Sequence, residues 1–267
     1  MAMDAIARSA ASSDQGFLRA YSRRFATICK DKGGRQALSR IAAVAGAMCG
    51  MAVCILRVKI LGRDPSAEKM ADLVLGCQPL KPLQLRSEVV RFLEVVRKEK
   101  PKTLVEIGTA QGGTLLMLCR VISPEATIIS IDLPQGPYGG GYPAWAAPFY
   151  RAFARRTQKI HLLRANSHTE ETRDRLRSIL NGQTIDFLFI DGDHTYPGAR
   201  QDYELYSPLV TPGGMIGFHD IAPNSPSEEY GVPRIWTELK SGHRNEEIIE
   251  DLGQRGYGIG LLWKKKS

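Results

Sequence analysis

The side chains best suited to chemistry gather in two short segments, Asp191-Gly192-Asp193-His194 and His219-Asp220. An apolar run, Phe187–Ile190, leads straight into the first of them. Carboxylates and imidazoles brought together at a cleft favour metal binding or acid–base work. Purely structural uses exist for single members: Asp191 could cap a helix, and His219 could be a satisfied buried histidine. The set as a whole reads as functional.

A second constellation lies upstream. Glu106-Ile-Gly108-Thr-Ala-Gln-Gly112-Gly113-Thr114 follows an apolar strand, and its glycines let the backbone turn tightly and approach a ligand. It is not the dinucleotide fingerprint GxGxxG, because Ala110 stands at the second glycine position. Asp132 stands 24 residues beyond Gly108, where an acid can hydrogen-bond ribose hydroxyls. Glycine loop and acid together imply an adenosine-type ligand, NAD or S-adenosylmethionine alike. Asn166, Ser167 and His168 follow the next apolar run. The long segment Pro134–Tyr150, with Tyr142 and Trp145, reads as a lid over such a site.

These segments need a scaffold that collects strand ends. Short apolar runs at Thr103–Ile107, Thr127–Ile131, Ile160–Arg164, Ile185–Ile190 and Met215–His219 read as strands. Helical patterns lie between them at Leu115–Val121 and Glu170–Leu180. A further helix, capped by Ser87 and ended by Pro101, precedes the first strand. The alternation predicts an α/β fold: a Rossmann-like, doubly wound, mostly parallel sheet whose ligands sit beyond the carboxyl ends of the strands. Glu246–Glu250 and Tyr257–Trp263 are expected to add a terminal antiparallel hairpin. The domain reading is a basic and apolar helical segment over residues 1–66 and a catalytic domain over 67–267.

The formal charge of +8 is unevenly spread. Residues 1–64 hold 11 Lys and Arg against 4 Asp and Glu, so the remainder is near neutral. No basic stripe interleaved with aromatics is present, which argues against nucleic acid as a partner. Ile41–Leu56 is wholly apolar, but at 16 residues it is shorter than the ~20 a spanning helix needs. Three readings stay open for it: a helix packed on the catalytic domain or on a second copy in a homo-oligomer, a membrane anchor or interfacial helix, and the remnant of a targeting segment. Cys29, Cys49, Cys54, Cys77 and Cys119 are odd in number and form no CxxC pair. They read as free thiols in a reducing compartment, hence a cytoplasmic location with membrane-surface contact through residues 1–64 left open.

The motifs VEIGTAQGGT, IISIDLP, RANSH, FLFIDGDHTY and YSPLVTPGGMIGFHDI, followed by YGVPRIWTEL, resemble class I S-adenosylmethionine-dependent methyltransferases. More narrowly they resemble the group that contains cephalosporin hydroxylase-like proteins and rhamnosyl and macrolide-sugar O-methyltransferases. The similarity spans about residues 67–267. It implies that Glu106, Gly108, Gly112 and Thr114 shape the methionine and ribose pocket, that Asp132 binds the ribose diol, and that Asn166 and Ser167 meet the adenine. Asp191 and Asp220 match positions that ligate magnesium in the sugar O-methyltransferases, and His194 matches their general base. His219 stands where an acid is usual, and imidazole suits zinc, iron or nickel.

The resemblance implies O-methylation of a small-molecule or glycan hydroxyl, with S-adenosylmethionine and a divalent metal, magnesium first, at Asp191, His219 and Asp220. Tyr142 and Trp145 are expected to face the acceptor. Two other classes compete: an NAD-dependent oxidoreductase, and a non-catalytic, membrane-associated cofactor-binding protein.

Overall fold

The computed structural model describes residues 33–62, 64–136, 141–155, 157–224 and 230–266, with the backbone alone for 33–37. The chain divides into two compact units, Met1–Cys49 and Gly50–Ser267. Helix α1 is Gly33–Ile60. It is followed by α2 (Ala67–Leu75) and α3 (Arg86–Glu99). Then come β1 (Thr103–Ile107), α4 (Gly113–Val121), β2 (Thr127–Asp132), α5 (Ala147–Arg151) and β3 (Lys159–Arg164). The chain continues through α6 (Glu170–Leu180), β4 (Ile185–Ile190), α7 (Tyr196–Tyr206) and β5 (Val210–His219). It closes with α8 (Val232–Lys240), β6 (Arg244–Ile248) and β7 (Ile259–Trp263).

The seven strands form one sheet in the order β3-β2-β1-β4-β5-β7-β6. The five strands β1–β5 run parallel; β7 is antiparallel to both β5 and β6. Parallel strands buried on both faces need continuous apolar runs, and β1 is buried at every position. Leu93, Leu116 and Phe187 belong to the core on one face, and Leu176, Tyr206 and Trp236 to that on the other. Strand order reverses between β2-β1 and β4-β5, which opens a crevice beyond the ends of β1 and β4.

Local chemistry sets several helix starts. Thr169 Oγ1 accepts from the Thr172 amide at 3.3 Å, and Thr195 Oγ1 from the Gly198 amide at 3.1 Å. The α3 start differs from expectation: it is flanked by Leu85, and Ser87 lies inside its first turn without a capping bond. Lys100, in the left-handed conformation, ends it just before Pro101.

Two features of α1 also differ. Its apolar stretch runs Leu38–Ile60, 23 residues, long and apolar enough to cross a bilayer, although 22% of its most apolar 18-residue window is buried. Among the described residues it is the one such helix. In its second half Met51, Cys54, Ile55 and Val58 are buried in the core at helical spacing, so this half has a protein-packed face. The free-thiol expectation is corrected as well. Cys54 and Cys77 form a disulfide with Cα atoms 6.4 Å apart, which tethers α1 to the segment after α2. The compartment inferred from free thiols therefore does not follow. Cys49 and Cys119 are free, and Cys29 lies outside the described residues.

Candidate active site

The crevice holds two adjoining cavities. One, of about 260 Å³, is lined by Asp132, Asn166, Ser167, His168 and Asp193. The other, of about 460 Å³, is lined by Gln111, Thr114, His194, His219, Asp220 and Tyr257 among others. Gly108, Ala110 and Asp191 border both. The loop after β1 is therefore the sill between them.

That loop is built around Gly108. Its φ is +87°, and a Cβ there would overlap the carbonyl of Asp191. Only glycine lets the β1 and β4 ends lie this close. Ala110 is also left-handed, at φ +43°, and Tyr150 Oη donates to its carbonyl at 3.0 Å. Below the loop, Glu106 is fully buried and lines neither cavity. Thr109 Oγ1 donates to it at 3.0 Å and meets Ser130 Oγ at 2.5 Å. Burial drives the Glu106 carboxyl well above its ordinary pKa. The Thr109 bond ties it to the loop through Oε2, and its Oε1 is buried without a hydrogen-bond partner.

Asp132, at the end of β2, accepts from the Tyr142 amide at 3.0 Å. Burial raises its pKa to about 6, against the opposing pull of amides from Tyr142, Thr109 and Ala110. Asn166 Oδ1 accepts from the His168 amide at 3.0 Å, which shapes the turn that presents Ser167.

The larger cavity holds two carboxylate–imidazole pairs. His194 Nδ1 lies 2.7 Å from Asp220 Oδ2. His219 Nδ1 lies 3.1 Å from Asp191 Oδ1 and 3.4 Å from Asp220 Oδ1. Asp220 is left-handed at φ +63° and also accepts from the Tyr257 amide at 2.9 Å. Burial alone would depress the His219 pKa, but Asp191 and Asp220 outweigh it and raise the value to about 9. The same contest raises His194. Burial opposes ionisation of Asp220, and the two imidazoles outweigh it and lower its pKa. His194 stacks on Tyr230, ring centroids 5.0 Å apart.

Asp191, His219 and Asp220 can offer one ligand atom each within 4.8 Å of one another. His219 Nε2 is buried with no hydrogen-bond partner.

Tyr142 and Trp145 come to neither cavity. Tyr142 is 2% exposed and packs its ring on Tyr150 at 4.8 Å, while Trp145 meets Phe149 edge-on at 6.5 Å. Burial of aromatic area outweighs exposure over a cleft, so the lid expectation is corrected for both side chains. Residues 137–140 of that segment lie outside the described residues.

Sequence reasoning missed a clamp from α3. Buried Glu88 accepts from the amides of Glu250 and Gly258 at 3.1 and 2.9 Å, and from Gln254 Nε2 at 2.7 Å. It fixes the β6–β7 connection, which brings Arg255 and Tyr257 to the cavity wall.

A doubly wound sheet with a glycine sill, an acid after the second strand and ionisable side chains after the fourth and fifth places its cavities at a topological switch point, where open α/β sheets bind ligands. Residues 105–221 match a family model described as a methyltransferase domain. An uncharacterized protein of Acanthamoeba polyphaga mimivirus is 30% identical over 160 residues, 57% of this chain and 66% of the relative. An uncharacterized protein of Sinorhizobium fredii (strain NBRC 101917 / NGR234) is 25% identical over 177 residues, 64% of this chain. This chain spans 18% of that relative's length. A proposed O-methyltransferase of Klebsiella pneumoniae shares the fold with a TM-score of 0.51 at 18% identity, over 80% of this chain and 96% of that one.

Proposed function

We propose that the protein transfers a methyl group from S-adenosylmethionine to a hydroxyl of a small molecule or glycan, with a sugar-like polyol as acceptor. The observation that carries this reading is the His194–Asp220 pair, 2.7 Å apart, in a cavity joined across Gly108 to the one that holds Asp132. The residues fit the cofactor: a sill without room for a Cβ lets a nucleoside approach the backbone, and an acid beside it can take a diol. When bound, the cofactor supplies an electrophilic methyl on a sulfonium.

The chain's own residues supply the rest. Asp132 accepts from the ribose hydroxyls, and the turn at Asn166 and Ser167 borders the adenine. Asp220 holds the His194 ring by Nδ1 and so orients the imidazole to take the acceptor hydroxyl's proton. Holding acceptor and donor in line is worth ~7–11 kcal/mol of barrier. Tyr230 and Tyr257 line this cavity beside polar groups, a mix that supports a sugar-like acceptor, which binds through ring faces and hydroxyls together. Asp191, His219 and Asp220 are the residues that would hold a divalent metal, and the orphaned His219 Nε2 fits a donor role. Such an ion would lower the pKa of an acceptor hydroxyl.

The test is methyl transfer to a panel of hydroxylated acceptors, monitored by S-adenosylhomocysteine release. His194→Gln and Asp220→Asn should each lower kcat by ~10²–10⁴-fold while leaving S-adenosylhomocysteine affinity unchanged. Full turnover in either variant would sink the base assignment. Activity lost in excess chelator and restored by magnesium, manganese or zinc would support the metal; full activity in chelator would remove it.

A further inference from the structure

At the opposite edge of the sheet, where β1, β2 and β3 begin, lies a groove of about 1100 Å³. Six cationic side chains line it: Lys59, Arg97, Lys100, Lys102, Arg120 and Arg155. Asp64 is the one acid among its lining residues. Part of this charge serves the fold. Arg155 donates to the Ile122 carbonyl after α4, and Arg97 donates to the Pro65 carbonyl and pairs with Asp64 at 3.6 Å. The Ile122 bond satisfies a carbonyl left open where α4 ends.

Arg120 is different. It is 6% exposed, and its Nε and Nη2 have no hydrogen-bond partner. No carboxylate forms an ion pair with it among the described residues. A buried guanidinium with two nitrogens lacking acceptors is costly, and the nearby Arg155 adds to that cost. An anion in the groove would supply what is missing. Guanidinium donors suit the tetrahedral oxygens of phosphate, and flanking lysines supply further charge.

We propose that this groove binds a phosphate group, with Arg120 as its buried anchor and Lys100 and Lys102 as flanking charges. The position of the groove bears on the source. Lys59, in the last turn of α1, is one wall, and the exposed Leu56 and Ile60 lie beside it on the same apolar helix. Free phosphate and the headgroup of an acidic phospholipid share the chemistry. The proposal stands independently of the methyl-transfer reading.

The experiment uses the full chain in neutral detergent. Inorganic phosphate is titrated calorimetrically against chloride of equal ionic strength. Flotation is then measured with phosphatidylcholine vesicles, with and without phosphatidic acid. Arg120→Gln removes the buried donor, and the exposed double variant Lys100→Ala/Lys102→Ala covers the case in which Arg120→Gln fails to fold. Each variant should weaken phosphate or phosphatidic acid binding by about tenfold or more, with S-adenosylhomocysteine binding unchanged. Saturable phosphate binding without vesicle preference supports a soluble ligand. Preference for phosphatidic acid that the variants lose supports the lipid. No saturable phosphate binding together with flotation that the variants leave unchanged overturns the proposal, as does phosphate binding unaffected by the double variant.

Discussion

The two edges of the sheet hold opposite kinds of charge. At the carboxyl edge, Asp191, His194, His219 and Asp220 alternate acid with base within hydrogen-bond reach; the carboxylates raise the pKa of both imidazoles, and the imidazoles lower that of Asp220. At the amino edge the side chains are nearly all cationic, and the most buried of them lacks hydrogen-bond partners at two nitrogens. Mutual neutralisation lets a site hold ionisable groups while it waits for a substrate. Unmatched charge of one sign reads as half of an ion pair whose other half comes from outside.

Three perturbations sharpen or break that contrast. The largest concerns α1, which contributes Lys59 to the amino edge and nothing to the carboxyl-edge cavities. A chain starting at Pro65 loses Met51, Ile55 and Val58 from the core, at ~1.5–3 kcal/mol each, and the Cys54–Cys77 bond. It should aggregate, whereas a chain starting at Gly50 should remain folded in thermal melts. A soluble, fully active Pro65 truncation would show that α1 is an appendage to both edges.

Next is Gly108→Ala. A left-handed φ costs ~1–3 kcal/mol for a side chain, and the overlap with the Asp191 carbonyl pushes the β1 and β4 ends apart. Turnover should fall about a hundredfold through misplacement, while phosphate binding at the amino edge stays unchanged. Equal loss at both edges would mean that the sheet transmits the distortion.

The smallest is a titration. The Asp132 carboxyl, with its pKa raised to about 6, is ionised above that pH, and on the proposed reading it accepts from the diol with both oxygens and most strongly in that form. S-adenosylhomocysteine affinity, followed by calorimetry, should therefore weaken as pH falls from 7 to 5. Asp132→Asn should bind about tenfold more weakly and lose this pH dependence. A pH-dependent Asp132→Asn would assign the titration elsewhere.

Much of the carboxyl edge was legible in the residues. β1 and β4 have the expected bounds, because a parallel strand buried on both faces is a continuous apolar run. Since ligands meet such sheets at strand ends, reading the residues after each run found Asp132, Asp191, His194, His219 and Asp220. The amino edge was not legible, since cations before strands look like ordinary solvated charge until burial shows which one is enclosed. The apolar run around Ile41–Leu56 was visible as apolar but not as half packed. That Met51, Cys54, Ile55 and Val58 share one face is a period-3.6 pattern, but alanines and glycines between them blur it.

By itself, then, the amino-acid order determined which segments are strands and which side chains stand at their ends, because both depend on short-range periodicity. Tertiary structure alone decided the partners. Glu88 clamps Gly258 across 170 residues of sequence, Tyr150 steadies Ala110 across 40, and Cys54 finds Cys77. Tyr142 turns inward onto Tyr150 instead of over the cleft. Such pairings depend on where the packed helices leave room, and local sequence pattern carries no information about distance in space.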